Sequence, residues 1–152
     1  MLDAAKRLEL FAASAVRRSS LLRRGRDALR AAEAILLLGA ATGLIRFCPR
    51  GTSGALVRAL SAVPPGQSEP ELESAVIGAV EVAERYVPRS SCLSRAVAAC
   101  AMLRRRGVRA RIRLGATRGP NRSIRAHAWL ECGGTASSSA PLEEFVVLSR
   151  VA

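Results

Sequence analysis

Aromatic residues are scarce: one Trp, one Tyr and three Phe in 152 residues. Proteins that hold single-stranded nucleic acid interleave basic residues with stacking rings, so this chain has little to build such a platform from. Lysine is almost missing as well. Lys6 is the only one, and the formal charge of +12 is carried by arginine. A surface that basic favours acidic partners, whether nucleic acid, anionic lipid or an acidic peptide. Histidine occurs once, at His127, and no two of Cys48, Cys92, Cys100 and Cys132 form a CxxC pair. Those two absences exclude most Cys/His zinc spacings. Aspartate is limited to Asp3 and Asp27, both in the N-terminal region.

Long apolar runs are missing too. The longest, from Ala34 to Ile45, is bracketed by Glu33 and Arg46 and falls short of the roughly 20 residues of a spanning helix. A buried helix is the simplest reading, with peripheral membrane contact as its alternative. The opening Met1-Leu2-Asp3-Ala4-Ala5-Lys6 lacks a charged start followed by an apolar signal core. Reduced thiols and a cytoplasmic location are therefore the expectation.

Hydrophobic residues make up 49% of the chain, many of them Ala, which argues for one folded, helix-rich domain rather than disorder. Ala5, Leu8, Phe11, Ala12 and Ala15 predict a helix over 3–18. Ser19 or Ser20 is a candidate cap for a second helix reaching about Leu44, and Cys48-Pro49-Arg50-Gly51 breaks it. A short helix is expected over 53–62, then a loop through Val63-Pro64-Pro65-Gly66. Leu72, Val76, Ala79, Val80 and Ala83 predict a helix over 69–86 with acids in its first turn. Residues 1–68 thus form a helical N-terminal part, and 69–152 form the rest of one domain.

The following segment holds the chemistry. Ser90 or Ser91 is a candidate N-cap, and 92–106 reads as a helix ended by Gly107. The period then switches from 3.6 to 2. Val108, Ala110, Ile112 and Leu114 alternate with Arg109, Arg111 and Arg113, as in a half-buried antiparallel strand. A second strand is expected over 124–131, a turn at Gly133-Gly134, and a short third strand over 145–148. Helices followed by a small antiparallel sheet make the fold class α+β.

Taken singly, a cysteine near a helix start is commonly a small core residue, and a lone histidine on a strand is commonly structural. Together they describe a mechanism. Helix-start amides favour an anionic thiolate, and an imidazole on a neighbouring strand can take the thiol proton. Cys92 is the candidate nucleophile, His127 the candidate base, and the amides at the helix start the candidate oxyanion donors.

The blocks Ser91-Cys92-Leu93-Ser94-Arg95-Ala96, Leu103-Arg104-Arg105-Arg106-Gly107-Val108, Leu114-Gly115 and Ala126-His127-Ala128-Trp129-Leu130-Glu131 resemble the transglutaminase-like peptidases of lasso-peptide biosynthesis. The resemblance covers roughly residues 30 to 150. It implies a transglutaminase/papain-like cysteine-peptidase core over 69–152 that removes the leader from a ribosomally made precursor peptide and needs no metal or organic cofactor. It also implies two partners, a small leader-recognition protein and an ATP-dependent macrolactam synthetase. Carried over by motif position, Cys92 is the nucleophile and His127 the base. The family pattern has an acid after the histidine, where this chain has Ser138 and Ser139. Ser139 is the candidate third member, with Glu131, Glu143 and Glu144 as alternatives. Glu131 shares the His127 strand but stands about 13 Å along it, a poor reach for orienting the ring.

The rival reading is a non-catalytic basic binding or scaffold protein, using arginines 109, 111, 113, 118, 122 and 125 to neutralise phosphates. The shortage of stacking rings argues against its nucleic-acid form.

Overall fold

The computed structural model describes residues 4–48, 50–62, 64, 66–119, 123–137 and 144–148, with side chains from residue 24 onward except at a few positions near the breaks. Four helices precede four strands: α1 (Ala4–Phe47), α2 (Arg50–Ser61), α3 (Pro70–Glu84), α4 (Cys92–Arg104), β1 (Ala110–Arg118), β2 (Ile124–Cys132), β3 (Thr135–Ser137) and β4 (Val146–Val147). The fold is α+β, as the pattern predicts. The strands form one sheet in the order β3-β2-β1-β4, and every pairing between them is antiparallel.

α4 is the central element and packs on α1, α3, β1 and β2. Its Ala96, Val97, Ala98, Ala99, Cys100, Met102 and Leu103 are all buried, and the small side chains among them let neighbouring backbones come close. β1 and β2 cover α4 with one face only. Ala110, Ile112, Ala128, Leu130 and Cys132 point into the core, while Arg111, Arg113 and Glu131 occupy the opposite face. This is the alternation expected of a half-buried strand.

Three expectations are corrected. The helices expected over 3–18 and from Ser19 or Ser20 are one element, α1, which runs through both serines without a break. The 34–45 segment is buried along one side only. Ala34 and Leu38 are fully buried and Ala41 nearly so, whereas Leu36 is 74% exposed. A strand absent from the sequence reading, β3, follows Gly133-Gly134. Both glycines have positive φ (55° and 92°), the backbone of a two-residue hairpin turn whose twist matches the flanking strands.

Hydrogen bonds between elements also tie the layers together. Gln67 lies against the segment that leads into β1, where Gln67 N–H donates to Gly107 O (3.2 Å) and Arg109 N–H donates to Gln67 O (2.9 Å). Arg104 donates from Nη1 to Ala59 O (3.0 Å), from Nη2 to Leu60 O (2.8 Å) and Ala62 O (2.7 Å), and from Nε to Ala110 O (2.8 Å). Its guanidinium therefore caps the end of α2 and holds it to β1. Arg105 and Arg106, just past the end of α4, both pair with Glu33 of α1.

Candidate active site

α4 starts on a reciprocal cap. Ser91 is the N-cap; its Oγ accepts from Ser94 N–H (3.1 Å), and Ser94 Oγ accepts from Ser91 N–H (2.7 Å). Cys92 is thereby set as the first helical residue, half-buried. Its amide and that of Leu93 fall in the first helical turn, where N–H groups have no acceptor within the helix.

His127 lies on β2, opposite Gly115 of β1. Its ring stacks on Trp129 (centroids 6.2 Å apart, planes 19° apart) and tilts against Phe145 (5.4 Å, 38°). That arrangement depends on Gly115. A Cβ there would stand 2.8 Å from Trp129 Cζ3, 2.9 Å from Cη2 and 3.0 Å from Phe145 Cβ. The indole lies over the glycine because nothing else fits beneath it, and the imidazole leans on the indole.

Cys92 and His127 line one pocket, between α3, α4 and β2. Ile77 and Val80 of α3, Ala96 and Ala99 of α4 and Leu130 of β2 give it apolar walls, while Glu81 and Arg95 join the pair as polar groups. Four consecutive residues of β2, 127–130, reach this pocket, so it runs along the strand's outer edge. Among the described residues, β3 pairs with that edge only from Leu130 onward. The cavity of about 210 Å³ is smaller than a typical small-molecule site of roughly 300–1,000 Å³. It suits one or two side chains of a longer ligand.

Electrostatics favour a neutral imidazole. Burial lowers the His127 pKa below its ordinary 6.5, and the charges of Arg95 and Arg125 lower it further. Arg95 lies one helical turn beyond Cys92 and is held by Glu84 of α3 (2.8 Å). A cation so placed opposes imidazolium. Cys100 and Cys132 are different. Both are buried, and burial pushes their thiols up to about 11 and about 12. All four cysteines are free thiols.

The third member is the least defined part. Ser139, like Ser138 and Glu143, lies outside the described residues. Glu131 is committed elsewhere: its carboxylate accepts from Arg111 Nε (2.9 Å) and Arg113 Nε (2.7 Å). Burial alone would raise its pKa, but the hydrogen bonds and charges of Arg111 and Arg113 together outweigh burial and lower it. Glu131 is thus withdrawn as a partner for His127. Glu144 is exposed and directly precedes Phe145, whose ring touches His127.

Arg95, Gly115 and Phe145 belong to the site but received no role from the sequence. Arg95 has one legible signal, its position three residues after Cys92. The others have none, since their roles depend on which strands pair.

Among known proteins, the profile of the transglutaminase-like superfamily matches residues 34–150. No curated protein and no solved structure matches the chain.

Proposed function

The chain belongs to the transglutaminase-like superfamily, which includes cysteine peptidases, and from that premise we propose that it cleaves peptide bonds with Cys92 and His127. The observation that carries this reading is the shared pocket, with the thiol at a capped helix start and the imidazole on the facing strand. In the proposed mechanism His127 takes the thiol proton and the sulfur attacks the scissile carbonyl carbon. The C–S bond forms, the oxyanion faces the amides of Cys92 and Leu93, and the C–N bond breaks as His127 returns the proton to the leaving amine. A water molecule, deprotonated by His127, then hydrolyses the thioester and restores the thiol. Orientation of the ring is assigned to the segment that leads into Phe145, with Ser139 as the candidate and Glu143 and Glu144 as alternatives. Loss of the usual acid lowers such activity without removing the remaining catalytic elements.

The substrate in this reading is the leader of a ribosomally made lasso-peptide precursor. Its support is the order of the cysteine and histidine blocks and a pocket sized for side chains of an extended peptide. A leader-recognition protein would deliver the precursor, and an ATP-dependent macrolactam synthetase would close the ring, in the cytoplasm. Two arginines of the competing nucleic-acid surface, Arg111 and Arg113, are both ion-paired with Glu131, whose single carboxylate offsets one of their two charges.

The deciding experiment incubates the protein with a lasso-peptide precursor and a leader-binding protein, and follows cleavage by mass spectrometry. Wild type is expected to release the leader and Cys92→Ala to release none. Cleavage by Cys92→Ala at the wild-type rate would sink the peptidase reading.

A further inference from the structure

A stripe on the face of α1 turned away from the core has no charged residue from Leu29 to Phe47; Glu33 borders it at about 60° and is paired with Arg105 and Arg106. Leu29, Ala32, Leu36, Ala40, Gly43 and Phe47 recur every three or four residues, so at 100° per residue they lie within about 40° of the Leu36 direction. Leu29 is 73% exposed, Leu36 74% and Phe47 80%. Nothing within 4 Å would meet a Cβ at Gly43. By length and composition alone the Arg24–Phe47 part of α1, longer than the 34–45 run that falls short, could cross a membrane, yet it cannot do so while folded, because Ala34, Leu38 and Ala41 on its other side are core residues. Only its outward stripe is available.

Charge identifies the occupant. Arg26 and Arg46, both exposed, lie about 80° to either side of the stripe by the same helical geometry. Arg105, at the end of α4, reaches Glu33 of α1 on the Arg26 side and is 66% exposed. A second copy would bring equal arginine flanks together on a chain whose net charge is +12. An anionic bilayer satisfies both features at once. The apolar stripe enters the acyl boundary while arginine stems lie along it and their guanidinium groups meet phosphates.

We infer that the outward stripe of α1 docks this protein flat on an anionic membrane surface. The inference is independent of the chemistry at Cys92, whose pocket is built from α3, α4 and β2. The docked helix stays in its folded position, with Leu36 and Phe47 immersed and the core face unchanged.

Flotation of the full chain tests this, with vesicles of pure phosphatidylcholine and of phosphatidylcholine mixed equally with phosphatidylglycerol. Wild type should float with the mixed vesicles, weakly with the neutral ones, and less as salt rises. The double variant Leu36→Glu/Phe47→Glu should bind mixed vesicles at least about tenfold more weakly, with an unchanged circular dichroism spectrum. Arg26→Gln/Arg46→Gln should bind more weakly and with a flatter salt dependence. Absence of wild-type flotation overturns the inference. So does equal binding by Leu36→Glu/Phe47→Glu, since charge alone would then suffice. A concentration-dependent dimer that this variant abolishes, without vesicle binding by wild type, would assign the stripe to a second copy instead.

Discussion

The surroundings of His127 suit the role of base proposed for it. Burial, Arg95 and Arg125 all act against the imidazolium and hold the ring neutral below its ordinary range. A base must be unprotonated to act, so a lowered pKa carries activity to lower pH. The acid limb of kcat/KM should accordingly fall below pH 6.5, the unperturbed histidine value. Arg95→Gln removes one opposing charge and should move the limb upward. A limb that stays in place, or moves down, would show that Arg95 does not act on this ring. The Gly115 position gives a second test. Gly115→Ala forces a Cβ into Trp129 and Phe145, and overpacking of this kind costs about 1–3 kcal/mol. The variant should melt at lower temperature and lose kcat more than KM changes, because the two rings it displaces are those against His127. Unaltered kcat at temperatures well below melting would separate Gly115 from the site. Cys92 and His127 were legible as candidates because a helix start and a period change can be read locally. The roles of Arg95 and Gly115 were not, since they depend on Glu84 and Trp129 meeting them from other elements.

Elements proved legible in kind and less so in extent. The periodicity over 69–86 and 92–106 found α3 and α4, each with an end displaced by a turn or less. The β1 and β2 strands were found by alternation and run further than expected, because pairing with each other extends them past the apolar residues that signal them. Ser19 and Ser20 misled. Serine is a good cap but costs a helix interior only about 0.5 kcal/mol, less than breaking the backbone ladder. β3 is too short to show a pattern and exists because its hairpin turn delivers it to β2. Arg104 makes the sharpest case at this scale. Hydrogen bonds from a charged group contribute about 1.5–3 kcal/mol each, and Arg104 makes several to carbonyls that a truncation would leave unmatched. Arg104→Ala should lower stability by about 3 kcal/mol in urea denaturation, and Arg104→Lys should recover only part of that. An Arg104→Ala variant as stable as wild type would mean that α2 is held by its apolar contacts alone.

For the molecule as a whole, the position of α1 is the main consequence of folding. Its inner side joins the core through Ala34, Leu38 and Ala41, and Glu33 binds it to Arg105 and Arg106 at the end of α4. The hydrogen bond from Arg106 is the chief reason that the Glu33 pKa lies below its ordinary value. Two leucines two residues apart then predict opposite outcomes. Leu38→Ala should destabilise by about 2–5 kcal/mol, as for a buried leucine, whereas Leu36→Ala should stay within about 0.5 kcal/mol. Equal effects in thermal or denaturant unfolding would contradict the placement of α1.

What the sequence determined by itself was local: apolar spacing, helix starts and stops, the change from a 3.6 to a 2 residue period, and hence an α+β chain with one cysteine at a helix start and one histidine on a strand. These follow from backbone geometry and from the need to bury one face of each element. The tertiary structure decided what depends on partners distant in sequence. It placed Cys92 and His127 on one pocket, turned Glu131 toward Arg111 and Arg113, gave Arg104 to α2, and left one side of α1 facing outward. Each is a contact between elements, and no residue pattern within a single element encodes it.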